Sequence, residues 1–383
     1  MSVEATENLI VGGGIIGLSI AYELAKRGRT VSVIEKDKFG EKASWAGAGI
    51  ITPANAATAV HPLEHLEALS HDAHDSWSAE LKQITGIDNG FRRCGGLYLA
   101  RTNGESAAMV GAMADWKARE IGFQELAPNQ RPKPFQSIQK CVHVPGESQF
   151  SNPHHLRALI AACQKLGVTL HQDVGETKIE FGNGRIESVA STTKRFQAQQ
   201  YFLACGPWTQ KLVDPMQIPL PMQPVRGQIA LYKLDPDTNS PLVGGPIINE
   251  GSRYLVPRVD GHIIAGATIE EVGFDCRTSD NEIADLRAWA ESITDELNDE
   301  TFVKSWAGLR PGTYDGFPYL GRLSCLDSMQ NVFVATGHFK SGLHLSTGTA
   351  IVMADLLEGK NPTVDLRPFC PSRAADHQSM ESK

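Results

Sequence analysis

The chain reads as an α/β protein: a Rossmann-like nucleotide-binding domain that receives an inserted α+β domain built on a mixed, largely antiparallel sheet. Three observations predict this. A strand, a glycine turn, a helix and a second strand follow one another from Leu9 to Glu35, within the roughly thirty residues that a βαβ unit of parallel sheet needs. Between Pro219 and Thr268 the pattern changes to short alternating strands, among them Arg253 to Arg258 and His262 to Ala267 joined through Asp260-Gly261, which predicts antiparallel sheet. Buried-type apolar strands return at Tyr201 to Ala204 and Val332 to Ala335, so the parallel sheet draws on the start, middle and end of the chain.

Each element has its own signal. Leu9-Ile10-Val11 is a short buried strand. Ile15 to Arg27 carries apolar residues at helical spacing and stops at Gly28, a residue suited to ending a helix. Val31 to Glu35 is the next strand, and a long loop of polar and small residues, Lys36 to Asn55, leads to a helix from Pro62 to Ile84. Pro153 to Leu166 is helical and Val168 to Val174 extended. A hairpin turns at Gly182-Asn183-Gly184, where Asn-Gly supplies the positive φ of a tight turn. A polar helix covers Asn281 to Glu296 and a last helix about Gly342 to Leu357. The expected nucleotide-binding domain comprises residues 5–85, 145–212 and 303–366, the inserted substrate domain 86–144 and 213–302, and 367–383 a polar, frayed tail. The prolines from Pro128 to Pro134 and Pro215 to Pro224 mark crossings between the domains or loops within one.

Composition narrows the function. A chain of 383 residues with 41% hydrophobic and 21% charged residues is ordinary globular material with room for two to three domains at ~150 residues each. Lys and Arg number 36 against 44 for Asp and Glu, a net charge of −8, which disfavours nucleic acid or an anionic membrane as the main partner and favours a small-molecule site. The seven cysteines (Cys94, Cys141, Cys163, Cys205, Cys276, Cys325, Cys370) are odd in number and scattered, with no CxxC pair, and are expected to be reduced thiols of a cytoplasmic protein. Glu4 and Glu7 precede the first apolar run without a Lys or Arg, the wrong charge for a secretory signal. Leu9 to Ala25 is broken by four glycines and Glu23 and falls short of the ~20 apolar residues of a membrane span. His61 and His65 share a helix face, but His71 and His74 point to another, and no HExxH or GxSxG occurs. A solvated or partly packed helix is the better reading, and no metal is expected.

Gly12-Gly13-Gly14-Ile15-Ile16-Gly17 satisfies GxGxxG through Gly12, Gly14 and Gly17. These glycines permit a tight turn, close approach of a pyrophosphate to the backbone N–H groups of a helix N-terminus, and close helix–strand packing. Glu35 ends the next strand eighteen positions past Gly17, where a carboxylate accepts from ribose hydroxyls and repels a 2′-phosphate. The fingerprint alone does not separate NAD from FAD.

Six ordered segments decide between them: IVGGGIIGLSIAYELAKRG at 10–28, ASWAGAGII at 43–51, FLACGPWT at 202–209, SRYLVPRVDGHIIAGAT at 252–268, WAGLRPGTYDGFPYLGR at 306–322 and GHFKSGLHL at 337–345. With them the chain resembles the FAD-dependent D-amino acid oxidase family, most closely its glycine oxidases associated with thiamine biosynthesis, from about Asn8 to Leu366. The resemblance implies that Ile15, Ile16, Glu35 and Lys36 hold the adenosine and pyrophosphate, with Gly206 in the same cradle. Ala43, Ser44, Ala48, Gly49 and Ile50 would run beneath the flavin, and Val174 would meet adenine through its backbone. His338, Phe339, Lys340, Ser341, Gly342, Leu343 and His344 would wrap the isoalloxazine and ribityl chain. A helix starting near Gly342 would face the flavin's pyrimidine side, where reduction leaves negative charge and a helix N-terminus offers positive potential.

By the same resemblance Arg310 and Tyr254 bind the substrate carboxylate, a guanidinium fork and a hydroxyl together fixing the Cα–H direction. Arg310 has an alternative as a structural ion pair with Asp315 or Glu270, and Tyr254 as a core tyrosine. Two departures stand out: Lys340-Ser341 where these oxidases usually carry arginine, and Ile269 where methionine is common. Lys340 is expected to assist a second carboxylate contact or to stabilise superoxide. The segment Leu309 to Asp315, which carries the attaching cysteine in covalent relatives, has none here, so non-covalent FAD is expected. The implied activity is oxidation of a small amino acid, glycine first, then sarcosine or small D-amino acids, to an imine and 2-oxo acid, with molecular oxygen reduced to hydrogen peroxide. A dehydrogenase passing electrons from a D-amino acid or 2-hydroxy acid to a quinone or carrier, and a flavin-binding redox sensor without turnover, remain alternatives. A homo-oligomer stays open.

Overall fold

The structure, a computed structural model, describes residues 2–323 and 330–373. Its first sheet is built around Ser2–Val11, which pairs in parallel with Val31–Ile34 on one side and Lys194–Leu203 on the other. Thr169–His171 extends the parallel run beyond Val31–Ile34, and Val332–Thr336 extends it beyond Lys194–Leu203. Period-two alternation divides the first strand's apolar residues between two cores. Ile10 packs with the helices Ile15–Lys26, Pro62–Thr85, Asn152–Lys165 and Gly342–Leu357. Leu9 and Val11 pack on the opposite face with Ile186, Val189 and Phe196. Those last residues belong to the hairpin Lys178–Gly182 and Arg185–Ala190, turned through Asn183 (φ 51°) and Gly184 (φ 70°), and to the strand that follows it.

The second sheet has eight strands in the order Phe302–Thr313, Met222–Lys233, His262–Gly266, Arg253–Pro257, Ile247–Glu250, Gly96–Ala100, Lys140–Val144 and Gln124–Glu125. All neighbours are antiparallel except Ile247–Glu250 beside Gly96–Ala100, so the sheet is mixed and largely antiparallel as the sequence predicts. Leu97, Ile248, Leu255, Ala265 and Ala230 face outward onto the helix Asp280–Ile293 and its Leu286, Trp289 and Ile293. The alternate residues Tyr98, Asn249, Tyr254 and Ile229 face a cavity shared with the first sheet. A small sheet of Ile50–Ile51, Ser148–Gln149 and Arg92–Arg93 joins the two units.

Several expectations change. Phe302–Thr313 hydrogen-bonds into the second sheet, although the expected boundary put residues from 303 onward in the nucleotide-binding domain. Glycines, a proline and Arg310 break the apolar alternation of this segment, whose Gly308 and Arg310 face a cavity rather than a core. The loop Lys36 to Asn55 contains a helical turn, Ala43–Ala46, and the strand Ile50–Ile51. A further helix, Asn103–Ala118, starts at a capping box of Thr102 and Glu105 and buries only Met109, so it has little apolar periodicity to read. The prolines Pro128 to Pro134 lie between two strands of the second sheet, within one unit, whereas Pro215 to Pro224 lie on the crossing from the first sheet to the second. Part of the tail is not frayed: Arg367–Phe369 forms a turn with Phe369 fully buried, and Arg373 pairs with Asp315 at 2.7 Å. Residues 374–383 and Cys325 lie outside the described residues. Among the described residues Cys94, Cys141, Cys163, Cys205 and Cys276 are free thiols and no helix is long and apolar enough to cross a membrane.

Candidate active site

One elongated cavity of about 540 Å³ lies between the two large sheets. Its first end is the glycine turn. Gly12 has φ +111°, and a Cβ there would sit 2.4 Å from the Ala204 carbonyl oxygen, so only glycine lets the turn rest against the end of the strand Lys194–Leu203. Gly17 packs behind it, its absent Cβ 2.0 Å from the Gly12 carbonyl. The Glu35 carboxylate accepts from the Gly13 N–H at 2.8 Å and the Asp37 N–H at 3.1 Å. A carboxylate has about four acceptor directions, so capacity for ribose hydroxyls remains. Lys36 pairs with Glu176 at 2.9 Å, which raises its pKa, and lies 5.8 Å from the Trp208 ring. At the start of the helix Ile15–Lys26 the Ser44 hydroxyl accepts from the Ile15 N–H at 2.9 Å.

The middle of the cavity is bounded by Ala43, Ser44, Ala48, Gly49 and Ile50 on one side and by residues 338 to 344 on the other. Gly49 has φ +73°, and a Cβ would meet the Phe150 carbonyl at 2.1 Å. His338 is buried and bonds Thr349 Oγ1 through Nε2 at 3.0 Å. His344 bonds Thr52 Oγ1 through Nδ1 at 3.3 Å, and its carbonyl accepts from His74 Nε2 at 2.7 Å. Burial pushes both His338 and His344 down to about 3, so both are neutral imidazoles at physiological pH. Lys340, in the turn Phe339–Ser341 before the helix Gly342–Leu357, is exposed at the cavity rim.

At the far end Arg310 and Tyr254 converge from different strands of the second sheet. Arg310 Nη1 donates to the Thr268 carbonyl at 2.9 Å and to that of Arg226 at 3.4 Å. The guanidinium lies over Gly227, where a Cβ would come within 2.1 Å of Nη2. Asp315 is paired with Arg373 and Glu270 with Arg226, the latter at 2.6 Å. Neither carboxylate pairs with Arg310, and none does so among the described residues. Burial lowers the Arg310 pKa, which the nearby Tyr254 and Glu270 partly offset. A half-desolvated cation without a carboxylate partner is a site that gains by taking an anion. The Tyr254 ring lies against Gly266, its register partner, with the hydroxyl 2.6 Å from where a Cβ would be. Burial raises the phenol pKa while Arg310 draws it back.

Of the sequence-predicted residues, all but Gly17 and Val174 lie on the cavity wall. Gly17 serves helix packing. Val174 donates its N–H to the Glu35 carbonyl at 3.2 Å, so its backbone donor is already used. Reasoning from sequence missed Glu147, Tyr98 and Asn249, which line the same wall. Glu147 is fully buried, with Asn249 Nδ2 3.4 and 3.5 Å from its two oxygens, and burial raises its carboxyl to about 7. No local motif marks these three; strand register alone aligns Tyr98 and Asn249 with Tyr254. His61 caps the helix Pro62–Thr85, and among the described residues no cluster suited to a metal ion occurs.

The profile of the FAD dependent oxidoreductase family, DAO, matches residues 8–356. A glycine oxidase of Pseudomonas aeruginosa is 33% identical over 95% of this chain and 98% of its own. A bifunctional protein ThiO/ThiG of Synechocystis is 32% identical over 95% of this chain, which spans 53% of that protein. The crystal structure of glycine oxidase from Geobacillus kaustophilus superimposes with a TM-score of 0.88 at 29% identity, covering 96% of this chain and 99% of that one. The family match runs from the first strand into the last helix, and the chain belongs to the DAO family of FAD-dependent oxidoreductases.

Proposed function

We propose that this chain is an oxidase that deaminates a small amino acid, glycine first and sarcosine or small D-amino acids after it. The substrate, oxygen and water would give the 2-oxo acid, hydrogen peroxide and the freed amine, which is ammonia from a primary amino acid and methylamine from sarcosine. The observation that carries the reading is the Arg310 guanidinium, held by two backbone carbonyls, free of any carboxylate among the described residues, and set beside the Tyr254 hydroxyl. The names of the most similar relatives support glycine as substrate.

The cavity fits the family's cofactor. It is long, it begins at a glycine turn beside Glu35, and at Gly12 and Gly49 a Cβ would fill backbone approaches that the cradle needs. Ile15, Ile16, Glu35, Lys36 and Gly206 would hold the nucleotide end, and Ala43 to Ile50 with His338 to His344 the ring end. When bound, FAD supplies the two-electron acceptor for the α-hydrogen. The chain's own part is orientation. Arg310 takes the carboxylate through parallel hydrogen bonds and Tyr254 adds another, so the α-carbon is presented in one direction. The neutral amine supplies the electronic push, and no positioned base is needed. His338 and His344, neutral and already hydrogen-bonded, add no charge to the site.

We carry the two-unit division as part of this reading, with Phe302–Thr313 counted in the substrate unit, together with cytoplasmic residence and a role in thiamine biosynthesis, the last resting on likeness alone. Lys340 at the rim would assist carboxylate entry or the oxygen half-reaction. A Lys340→Met enzyme with unchanged glycine affinity and unchanged oxygen rate would remove that role. The reading itself is tested by mixing the yellow holoprotein anaerobically with glycine, sarcosine and both enantiomers of small amino acids, then admitting air with a peroxide-coupled dye. Bleaching by glycine followed by peroxide is the expected result. No bleaching by any amino acid would overturn it.

A further inference from the structure

The segment Ala48 to Ile50 has its outer carbonyls tied. Arg258 Nη2 donates to the Ala48 carbonyl at 2.7 Å, and the Phe150 N–H donates to that of Gly49 at 3.0 Å. The other side of the Arg258 fork donates to Gln149 Oε1, and Gln149 Nε2 donates to the Pro257 carbonyl at 2.9 Å. Gln149 is the register partner of Ile50, so the guanidinium clamps the cavity wall and its neighbouring strand together. In a trans peptide the N–H points opposite to the C=O. With the Ala48 carbonyl drawn to Arg258, the Gly49 N–H is turned the other way. Among the described residues it donates to no protein acceptor, and Gly49 lines the cavity. The turn cannot relax, because Gly49 has φ +73° and abuts the Phe150 carbonyl.

We infer that Arg258 is a positioning residue for the flavin: its charge-assisted bond to the Ala48 carbonyl aims and polarises the Ala48–Gly49 peptide so that the Gly49 N–H serves as a fixed donor to the polar edge of the isoalloxazine. A hydrogen bond strengthened at one end of a peptide strengthens the donor at the other. No carboxylate pairs with Arg258 among the described residues, and burial pushes its pKa down to about 10, so its positive charge is expressed toward this peptide rather than screened. Negative charge that gathers on the ring during reduction is thereby stabilised from behind the wall, by a residue that does not itself line the cavity.

The inference rests on the family's cofactor and not on glycine, so its test needs no turnover. Arg258→Met and Arg258→Gln are compared with the parent by FAD titration of the deflavinated protein, by the visible flavin spectrum and by the midpoint potential of the holoprotein. In Arg258→Met the FAD dissociation constant should rise about tenfold, the worth of one charge-assisted bond. Arg258→Gln, which keeps an N–H donor but no charge, should lose less affinity. Both should show a more negative potential and a shifted flavin band, while acetate binding at Arg310 stays as in the parent. A folded Arg258→Met with unchanged FAD affinity and potential would overturn the assignment. If that variant does not fold, an unchanged potential in Arg258→Gln does so instead.

Discussion

Gly227→Ala tests the substrate grip proposed for Arg310 without substituting a residue given a chemical role. A methyl at this position would lie 2.1 Å from Arg310 Nη2, 2.2 Å from Cζ and 2.4 Å from Nη1. Non-bonded heavy atoms need about 3.5 Å, so the guanidinium must retreat by more than about 1 Å. The carbonyls that hold it cannot follow. Arg226 exchanges backbone hydrogen bonds with Glu270 at 2.8 and 3.0 Å, and Thr268 Oγ1 accepts from the Gln228 N–H at 2.9 Å. A charge-assisted hydrogen bond contributes about 1.5–3 kcal/mol, and a misplacement of ~1 Å at a reacting centre costs about 10²-fold. We therefore expect kcat/KM for glycine to fall about 100-fold or more, with FAD content unchanged. Peroxide-coupled turnover gives the rate, and titration of the flavin spectrum with acetate gives carboxylate affinity separately. Gly122→Ala, whose methyl would meet nothing within 4 Å, is the control. A Gly227→Ala protein that binds acetate within about twofold of the parent would refute the reasoning.

Tyr254→Phe removes a hydroxyl and keeps the ring against Gly266, so kcat/KM should fall about tenfold, the worth of one hydrogen bond to a charged group; steady-state kinetics checks it, and Arg310→Met should lose far more. Glu147 gives a pH signature: its folded pKa of about 7 lies above the ordinary 4.5, so the carboxyl favours the folded state below pH 4.5 and loses that advantage as pH rises to 7. Glu147→Gln should therefore gain stability over the parent with rising pH, by up to about 3 kcal/mol, in urea unfolding at pH 5 and pH 8; a constant difference across that range would contradict the burial argument. Acid precipitation should release all flavin into the supernatant, because Leu309 to Asp315 contains no cysteine, and yellow retained on the pellet would show a covalent link.

What the sequence makes legible is whatever repeats at a fixed period or carries a rare residue type. The glycine turn at 12 to 17, the helices from Ile15 and Gly342 and the Asn183-Gly184 hairpin are all local signals, and each lies within a residue or two of its expected place. Resemblance singles out Arg310 and Tyr254, and both lie on the cavity wall. The strand Phe302–Thr313 is not legible, because Gly308 and Arg310 line the cavity where a strand packed on a core would show apolar alternation. Glu147 is equally silent: an acidic residue in a turn reads as solvated until a strand from elsewhere in the chain, carrying Asn249, covers it.

The deeper reason is that a site is made of spaces as well as groups. Arg310 reaches its place because position 227 lacks a Cβ, Tyr254 because position 266 does, and the Ala48–Ile50 wall because position 49 does. Nothing in a glycine's own neighbourhood in sequence says which distant side chain will use the space it leaves. These vacancies are set by register: Tyr254 opposes Gly266, Gly266 opposes Ile229, and Gly227 opposes Gly308 on the strand that bears Arg310. A slip of one residue in any of these pairings would turn a cavity-facing side chain to the outer face of the sheet. The specificity of the grip is therefore stored in strand pairing across more than eighty residues of chain, from Val225 to Arg310, which is why substitutions at the glycines, rather than at the arginine they accommodate, test the architecture that makes the arginine useful.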